Sequence, residues 1–235
     1  MIPVPETSPP RIRLLVSVRD AAEAALARDH GADLIDGKDP GRGALGALSA
    51  DAVRAIAAAA GDRPTSAVAG EPRDADEASA CLAALAGTGV HYLKIAWAPG
   101  RDAASLRLPA APSVIAVLFA EDGPDGADVP ALAAAGFSGA MIDTRTKDGR
   151  RLTDHLPLAR LAGFARACRA HGLLSGLAGS LALDDIPVLA ALGPGYLGFR
   201  GGLCAAADRT GRLDPQRIAE AAQRLGAVAP CIEAA

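Results

Sequence analysis

The sequence predicts a single (β/α)8 barrel, and three observations carry that expectation. From residue 11 onward, short apolar strand-like runs alternate with alanine-rich helical stretches, eight such units follow one another, and no change of composition separates them. Continuous apolar strands alternating with amphipathic helices imply parallel pairing through right-handed crossovers. A length of 235 residues is what one such barrel takes. An open doubly wound sheet is the alternative, but no G-x-G-x-x-G follows the first strand, which disfavours its dinucleotide-binding version.

The elements follow in order. Residues 1–10 read as a flexible, proline-rich lead-in, and the barrel occupies 11–235. "RLLVSV" (13–18) is the first strand, and "RDAAEAALARDHG" the first helix, closed by Gly31. "DLIDGK" (33–38) passes through the glycine loop "DPGRGALGA" into "SADAVRAIAAAAG", where Ser49 is the expected N-cap. "TSAVAG" (65–70) precedes "DADEASACLAALAGTG", and "HYLKIAW" (91–97) follows. The next connection is short, proline-bearing and poorly periodic, the least helical of the eight. "SVIAVLFA" (113–120) leads to "VPALAAAG", and "GAMIDT" (139–144) to a polar loop and "LARLAGFARACRAHG". "LLSGLAGS" (173–180) leads to "ALDDIPVLAALG", and "YLGFRGG" (196–202) to "DPQRIAEAAQRLG".

Composition excludes several functions. A net charge of −3 provides no basic footprint for nucleic acid and no polybasic membrane patch. No apolar run approaches the roughly 18 residues of a membrane span, and the N-terminus lacks a signal-peptide core. The four cysteines, Cys81, Cys168, Cys204 and Cys231, show neither C-x-x-C nor zinc spacing and read as buried or incidental thiols in a reducing compartment. The expectation is a cytoplasmic protein with a small-molecule partner. Alanine-rich outer helices such as 50–60 leave a homo-oligomer open.

Lysine usage points to the site. Of 24 lysines and arginines, only Lys38, Lys94 and Lys147 are lysine. A chain that writes its surface cations as arginine keeps lysine where arginine cannot serve. Arginine never loses its proton in a protein, whereas a desolvated lysine can become a free amine. All three lysines fall at or just beyond the C-terminal ends of the second, fourth and sixth strands, the end where barrels place their chemistry. Asp36 lies two residues before Lys38, on the same strand face. Asp143 ends the sixth strand, four residues before Lys147. The alternative for any one pair is an ordinary rim salt bridge. The whole set, with lysine otherwise absent, favours catalysis.

Crowded cations lower an amine's pKa. A neutral lysine can attack a carbonyl to form an imine, an aspartate can move the α-proton, and further cations can hold phosphate. Phosphate candidates are Gly179 and Ser180 in "LAGS" and Arg200, Gly201 and Gly202 in "FRGG", after the seventh and eighth strands. The "DPGRGALGA" loop with Arg42 is a second candidate. His155 is a candidate either for the site or for capping a loop, whereas His30, His91 and His171 read as structural. Asp184-Asp185 open a helix, Asp208-Arg209 suit a rim salt bridge or a substrate loop, and no grouping has metal-ligand spacing.

Over nearly all its length, the chain resembles the (5-formylfuran-3-yl)methyl phosphate synthase family. The resemblance rests on "ADLIDGKDPGRGALGA", "YLKI", "MIDTRTKDGRRLTDHL", "GLAGSL" and "GFRGGLC…DRTGRLD". It implies a (β/α)8 barrel, a carbon–oxygen lyase that condenses two glyceraldehyde 3-phosphate molecules into a furan aldehyde phosphate, losing phosphate and water. It implies no organic cofactor and a product destined for methanofuran or a related one-carbon carrier. The family's Schiff-base lysine falls on Lys38 and its strand partner on Asp36. Its further active-site lysines fall on Lys94 and Lys147, and its second catalytic aspartate on Asp143. The family's usual D-V-K reads D-G-K here, and Gly41-Arg42 replace its loop lysine. From the residues alone, a Schiff-base aldolase acting on another sugar phosphate, or a non-catalytic sugar-phosphate-binding barrel, stays open.

Overall fold

Eight strands close into one parallel barrel in chain order: β1 (Arg13–Val18), β2 (Leu34–Gly37), β3 (Thr65–Gly70), β4 (Tyr92–Ala96), β5 (Ser113–Phe119), β6 (Gly139–Asp143), β7 (Leu174–Leu177) and β8 (Tyr196–Phe199), with β8 pairing back onto β1. The computed structural model describes residues 11–103, 105–146 and 148–228. The expected lead-in at 1–10, Lys147 and Cys231 therefore lie outside the described residues. The helices are α1 (Ala21–Asp29), α2 (Ala50–Ala59), α3 (Ala75–Leu85), α4 (Val129–Ala134), α5 (Leu152–His155), α6 (Leu158–Ala170), α7 (Ile186–Ala190) and α8 (Pro215–Gly226). None is long and apolar enough to cross a membrane.

Side-chain alternation along each strand explains the layering. One set of residues, among them Leu15, Leu34, Val68, Val117, Met141 and Tyr196, fills the barrel. The alternate set, including Leu14, Val16, Ile35, Leu93, Ile95 and Ile142, packs outward against the helices. Four of the eight helices, α1, α2, α3 and α8, start on acidic or hydroxyl caps. Asp20 accepts from Glu23 N at 2.9 Å, and Asp74 from Glu77 N at 2.8 Å. Ser49 caps α2 as the sequence predicts, accepting from Ala52 N at 3.3 Å. The described residues between β4 and β5 form no α-helix, in keeping with their prolines and broken periodicity. Six of the eight strands end one to three residues earlier than their apolar runs suggest, and β1 and β3 end as expected. Small residues such as Ala178, Gly179 and Ser180 leave the ladder to turn over the rim, with Gly179 at φ 118°.

Gly176 and Tyr196 are paired by shape inside the barrel. A Cβ on Gly176 would lie 2.2 Å from Cζ of Tyr196, whose ring is fully buried. Gly176→Ala is expected to lower unfolding free energy by about 1–3 kcal/mol through overpacking. A denaturant titration checks this, and an unchanged midpoint would contradict it.

Candidate active site

Asp36 sits in β2 with Ser17 of β1 and Ser66 of β3 beside it in the ladder. Both hydroxyls point at its carboxylate. Ser66 donates to Oδ1 at 2.6 Å and Ser17 to Oδ2 at 3.1 Å. From β4, Lys94 reaches Oδ1 at 3.0 Å with its side chain only 2% exposed, and its ammonium stands 5.6 Å over the Tyr196 ring. Burial alone would raise the Asp36 pKa. The charges of Lys94 and Lys38, with the Ser66 hydrogen bond, outweigh burial and hold it below the ordinary carboxylate range.

Lys38 follows β2 directly, its backbone N–H held by Val18 O at 2.9 Å. Its Nζ lies 3.9 Å from Oδ2 of Asp143, which ends β6 and accepts from Thr144 N at 2.8 Å. The ion pairs are thus crossed: Asp36 pairs with Lys94 while also feeling the charge of Lys38, and Asp143 pairs with Lys38 across the barrel. The Lys38–Asp143 separation exceeds a charge-assisted hydrogen bond of about 2.7–2.9 Å. Lys38 is also the more exposed amine, its side chain 10% exposed against 2% for Lys94. Four of the five expected catalytic residues therefore meet at the mouth. The fifth, Lys147, lies outside the described residues.

These groups line a cavity of about 450 Å³ at the C-terminal end of the strands. Gly179, Ser180, Gly201 and Gly202 line it too. A Cβ on Gly202 would fall 2.2 Å from Leu181 O, so only glycine lets the two loops meet there.

Three further phosphate candidates, Arg200, Arg42 and His155, are differently placed. Arg200 borders the cavity, but its guanidinium is engaged by protein acceptors. Nε donates to Arg209 O at 2.9 Å, Nη1 to Ser17 O at 3.2 Å and to Glu23, and Nη2 to Glu23 Oε1 at 3.2 Å and Gly211 O at 2.8 Å. All five N–H groups of this buried cation are used. Arg42 is exposed and outside the cavity lining, donating to Ala47 O at 3.2 Å. Its loop closes on itself, with Asp39 N bonded to Gly46 O at 2.9 Å. His155, on α5, does not line the cavity either.

Ser17, Ser66 and Tyr196 contact Asp36 or Lys94 and Arg217 lines the cavity, and the sequence reading singled out none of them. Polar residues inside the apolar runs "RLLVSV" and "TSAVAG" were the available signal for the two serines. Glu121, just beyond β5, accepts from Arg145 N at 2.9 Å and from both Thr146 N and its hydroxyl at 2.9 Å. Asp122 takes the Arg145 guanidinium in a fork at 3.0 and 2.6 Å. Together they clamp the chain leaving Asp143. Burial pushes the Glu121 pKa up, but the N–H groups of Arg145 and Thr146 and the Thr146 hydroxyl bring it down to about 2. A carboxylate with a depressed folded pKa stabilises the fold above its unfolded pKa, and that contribution fades as pH falls through the folded value. Glu121→Gln is therefore expected to reduce stability at neutral pH, with the gap from wild type closing between about pH 4.5 and pH 2. Denaturant midpoints at pH 7 and pH 3 check this, and a pH-independent gap would contradict it.

Fold and mouth together define a (β/α)8 barrel with a lysine–aspartate site at the C-terminal ends of its strands. Solved barrels share the architecture: phosphoribosyl anthranilate isomerase from Thermus thermophilus superposes with a TM-score of 0.63 at 18% identity, covering 92% of this chain and 98% of that one. The family model described as 4-HFC-P synthase matches residues 14–222. A Methylorubrum extorquens protein provisionally named (5-formylfuran-3-yl)methyl phosphate synthase is 58% identical over 222 residues, covering 92% of this chain and 93% of its own. The (5-formylfuran-3-yl)methyl phosphate synthase of Methanococcus maripaludis strain C5 is 33% identical over 228 residues, covering 88% and 96%. The chain belongs to the (5-formylfuran-3-yl)methyl phosphate synthase family.

Proposed function

We propose that the protein condenses two glyceraldehyde 3-phosphate molecules into (5-formylfuran-3-yl)methyl phosphate, releasing phosphate and water, on a route to methanofuran or a related carrier. The observation that carries this reading is the pair of crossed lysine–aspartate contacts at the mouth, in a chain of that family. Lys38, the more accessible amine, adds to the C1 aldehyde and loses water to form an imine. Asp143 takes the proton from C2, and the C–H electron pair passes into an enamine. That pair returns through C1–C2 to make a C2=C3 bond while the C3–O bond breaks and its electrons leave with phosphate. C3 of the remaining three-carbon enol bonds to C2 of the second triose phosphate, isomerised to its C2 ketone, and the ketone oxygen takes up the proton that the enol gives up. Loss of two waters closes and aromatises the ring, and hydrolysis frees Lys38.

In this reading the two carboxylates divide the work. Asp36 has Lys94 and two hydroxyls on its oxygens, so its role is to hold Lys94 and the local field. Asp143, facing Lys38, is the proton carrier. Lys94 polarises the bound carbonyl, and the Gly179–Ser180 and Gly201–Gly202 corner takes the retained phosphate. Lys147 belongs to the same reading through the family pattern.

Incubating the purified protein with glyceraldehyde 3-phosphate should produce an ultraviolet furan absorbance together with inorganic phosphate. Turnover of a different sugar phosphate without that absorbance would favour a Schiff-base aldolase instead.

A further inference from the structure

Two triose phosphates bring two phosphate dianions to one cavity, and the product keeps one. If the protein condenses two such molecules, the site needs a second anion seat close to the imine. The glycine corner lies to one side, with Arg217 donating through Nε to Gly202 O at 2.9 Å and Arg151 paired with Asp185 at 3.1 Å. Arg209 lines the same cavity and feels the charge of Asp143, the partner of Lys38.

Arg209 is built into place. Arg200, anchored by Glu23, holds Arg209 O at 2.9 Å and Gly211 O at 2.8 Å. Asp208 closes the turn by accepting from Thr210 N at 2.9 Å and its hydroxyl at 2.8 Å. From this base Arg209 spans from the β8–α8 loop to the β2–α2 loop, where Nη2 donates to Gly43 O at 2.8 Å. The guanidinium is half-buried, and burial opposes its charge while Asp143 favours it. Among the described residues no carboxylate forms an ion pair with it, whereas Arg200 has Glu23 and Arg151 has Asp185. A partly desolvated, forked cation lining a cavity suits a phosphate.

We propose that Arg209 seats the phosphate that leaves, holding it beside the Lys38 imine and stabilising the charge that builds on the departing oxygen. The bond broken is C3–O, its electron pair goes to the phosphate, and Arg209 donates hydrogen bonds without giving up a proton. Arg200 is then a positioning residue, acting through the turn it holds. This role rests on the imine chemistry proposed for Lys38.

The test compares Arg209→Met and Arg209→Lys in the full chain with glyceraldehyde 3-phosphate, following phosphate release and borohydride trapping at Lys38. In the Met variant, phosphate release should fall by about 100- to 1,000-fold, the scale of losing one preorganised donor to a developing anion. The trapped adduct should persist and carry its phosphate. The Lys variant should recover to within about tenfold of wild type, because the charge is kept. Release by the Met variant within about threefold of wild type would overturn the proposal. So would a Lys variant no better than Met, since Arg209 would then only clasp two loops. Loss of the adduct from wild type would instead sink the imine assignment, and the phosphate-release comparison would still decide the role of Arg209.

Discussion

Lys38→Arg is expected to lower furan formation by about 10⁴-fold or more while leaving the barrel folded, the scale seen when a covalent nucleophile is removed from a preorganised site. The substitution keeps a cation opposite Asp143, so the electrostatics that hold the mouth together change little. It removes only the capacity to become a neutral amine, because arginine keeps its proton in proteins. A cation acting purely by charge, for phosphate binding or for a rim ion pair, would be replaced with modest loss. Steady-state furan formation and thermal melting, measured together, separate the cases. A folded variant retaining more than about a hundredth of wild-type turnover would contradict the nucleophile assignment.

Asp36→Leu is expected to cost about 3–5 kcal/mol of stability, the usual consequence of stranding one partner of a buried ion pair. Lys94 would keep its place under Tyr196 with no carboxylate at 3.0 Å, and the Ser17 and Ser66 hydroxyls would lose their acceptor. The loss belongs to the uncompensated ammonium more than to the missing bond. The double variant Asp36→Leu with Lys94→Met should therefore recover most of the stability, and none of the activity. Denaturant titration of the four proteins in this cycle measures the coupling. If the double variant were as unstable as the sum of the two single changes, the pair would not be coupled, and Asp36 would not be the group that balances the Lys94 charge.

The fold was legible because every strand carries its own apolar run and every helix its own period, and these local signals agree with closure. Asp36 and Lys38 were legible through a spacing of two on one strand. Lys94 stood out because the chain otherwise spends arginine on its surface. What could not be read was who pairs with whom. Ladder register brings Lys94 to Asp36, and barrel closure brings Lys38 to Asp143, and neither contact is encoded within a short window. Arg200 shows this most sharply. Its Glu23 partner is 177 residues away, so a glycine-flanked arginine looked like a phosphate contact when it is a buried strut. Arg42 misled for the converse reason: a glycine-rich loop announces a turn, but not whether the loop opens toward the cavity or closes on itself, as Asp39 and Gly46 do. Arg209, set beside Asp208, read as either a rim salt bridge or a substrate-loop contact. In the folded chain Asp208 turns to Thr210, and Arg209 points across the mouth to Gly43.

The proposed chemistry depends on a covalent bond between one side chain and a substrate carbonyl. Borohydride reduction in the presence of glyceraldehyde 3-phosphate, followed by peptide mass mapping, tests this directly. The expected result is a reduced three-carbon adduct on the peptide carrying Lys38, absent from Lys38→Arg. An adduct confined to Lys94, or no adduct under conditions where the furan product forms, would contradict it.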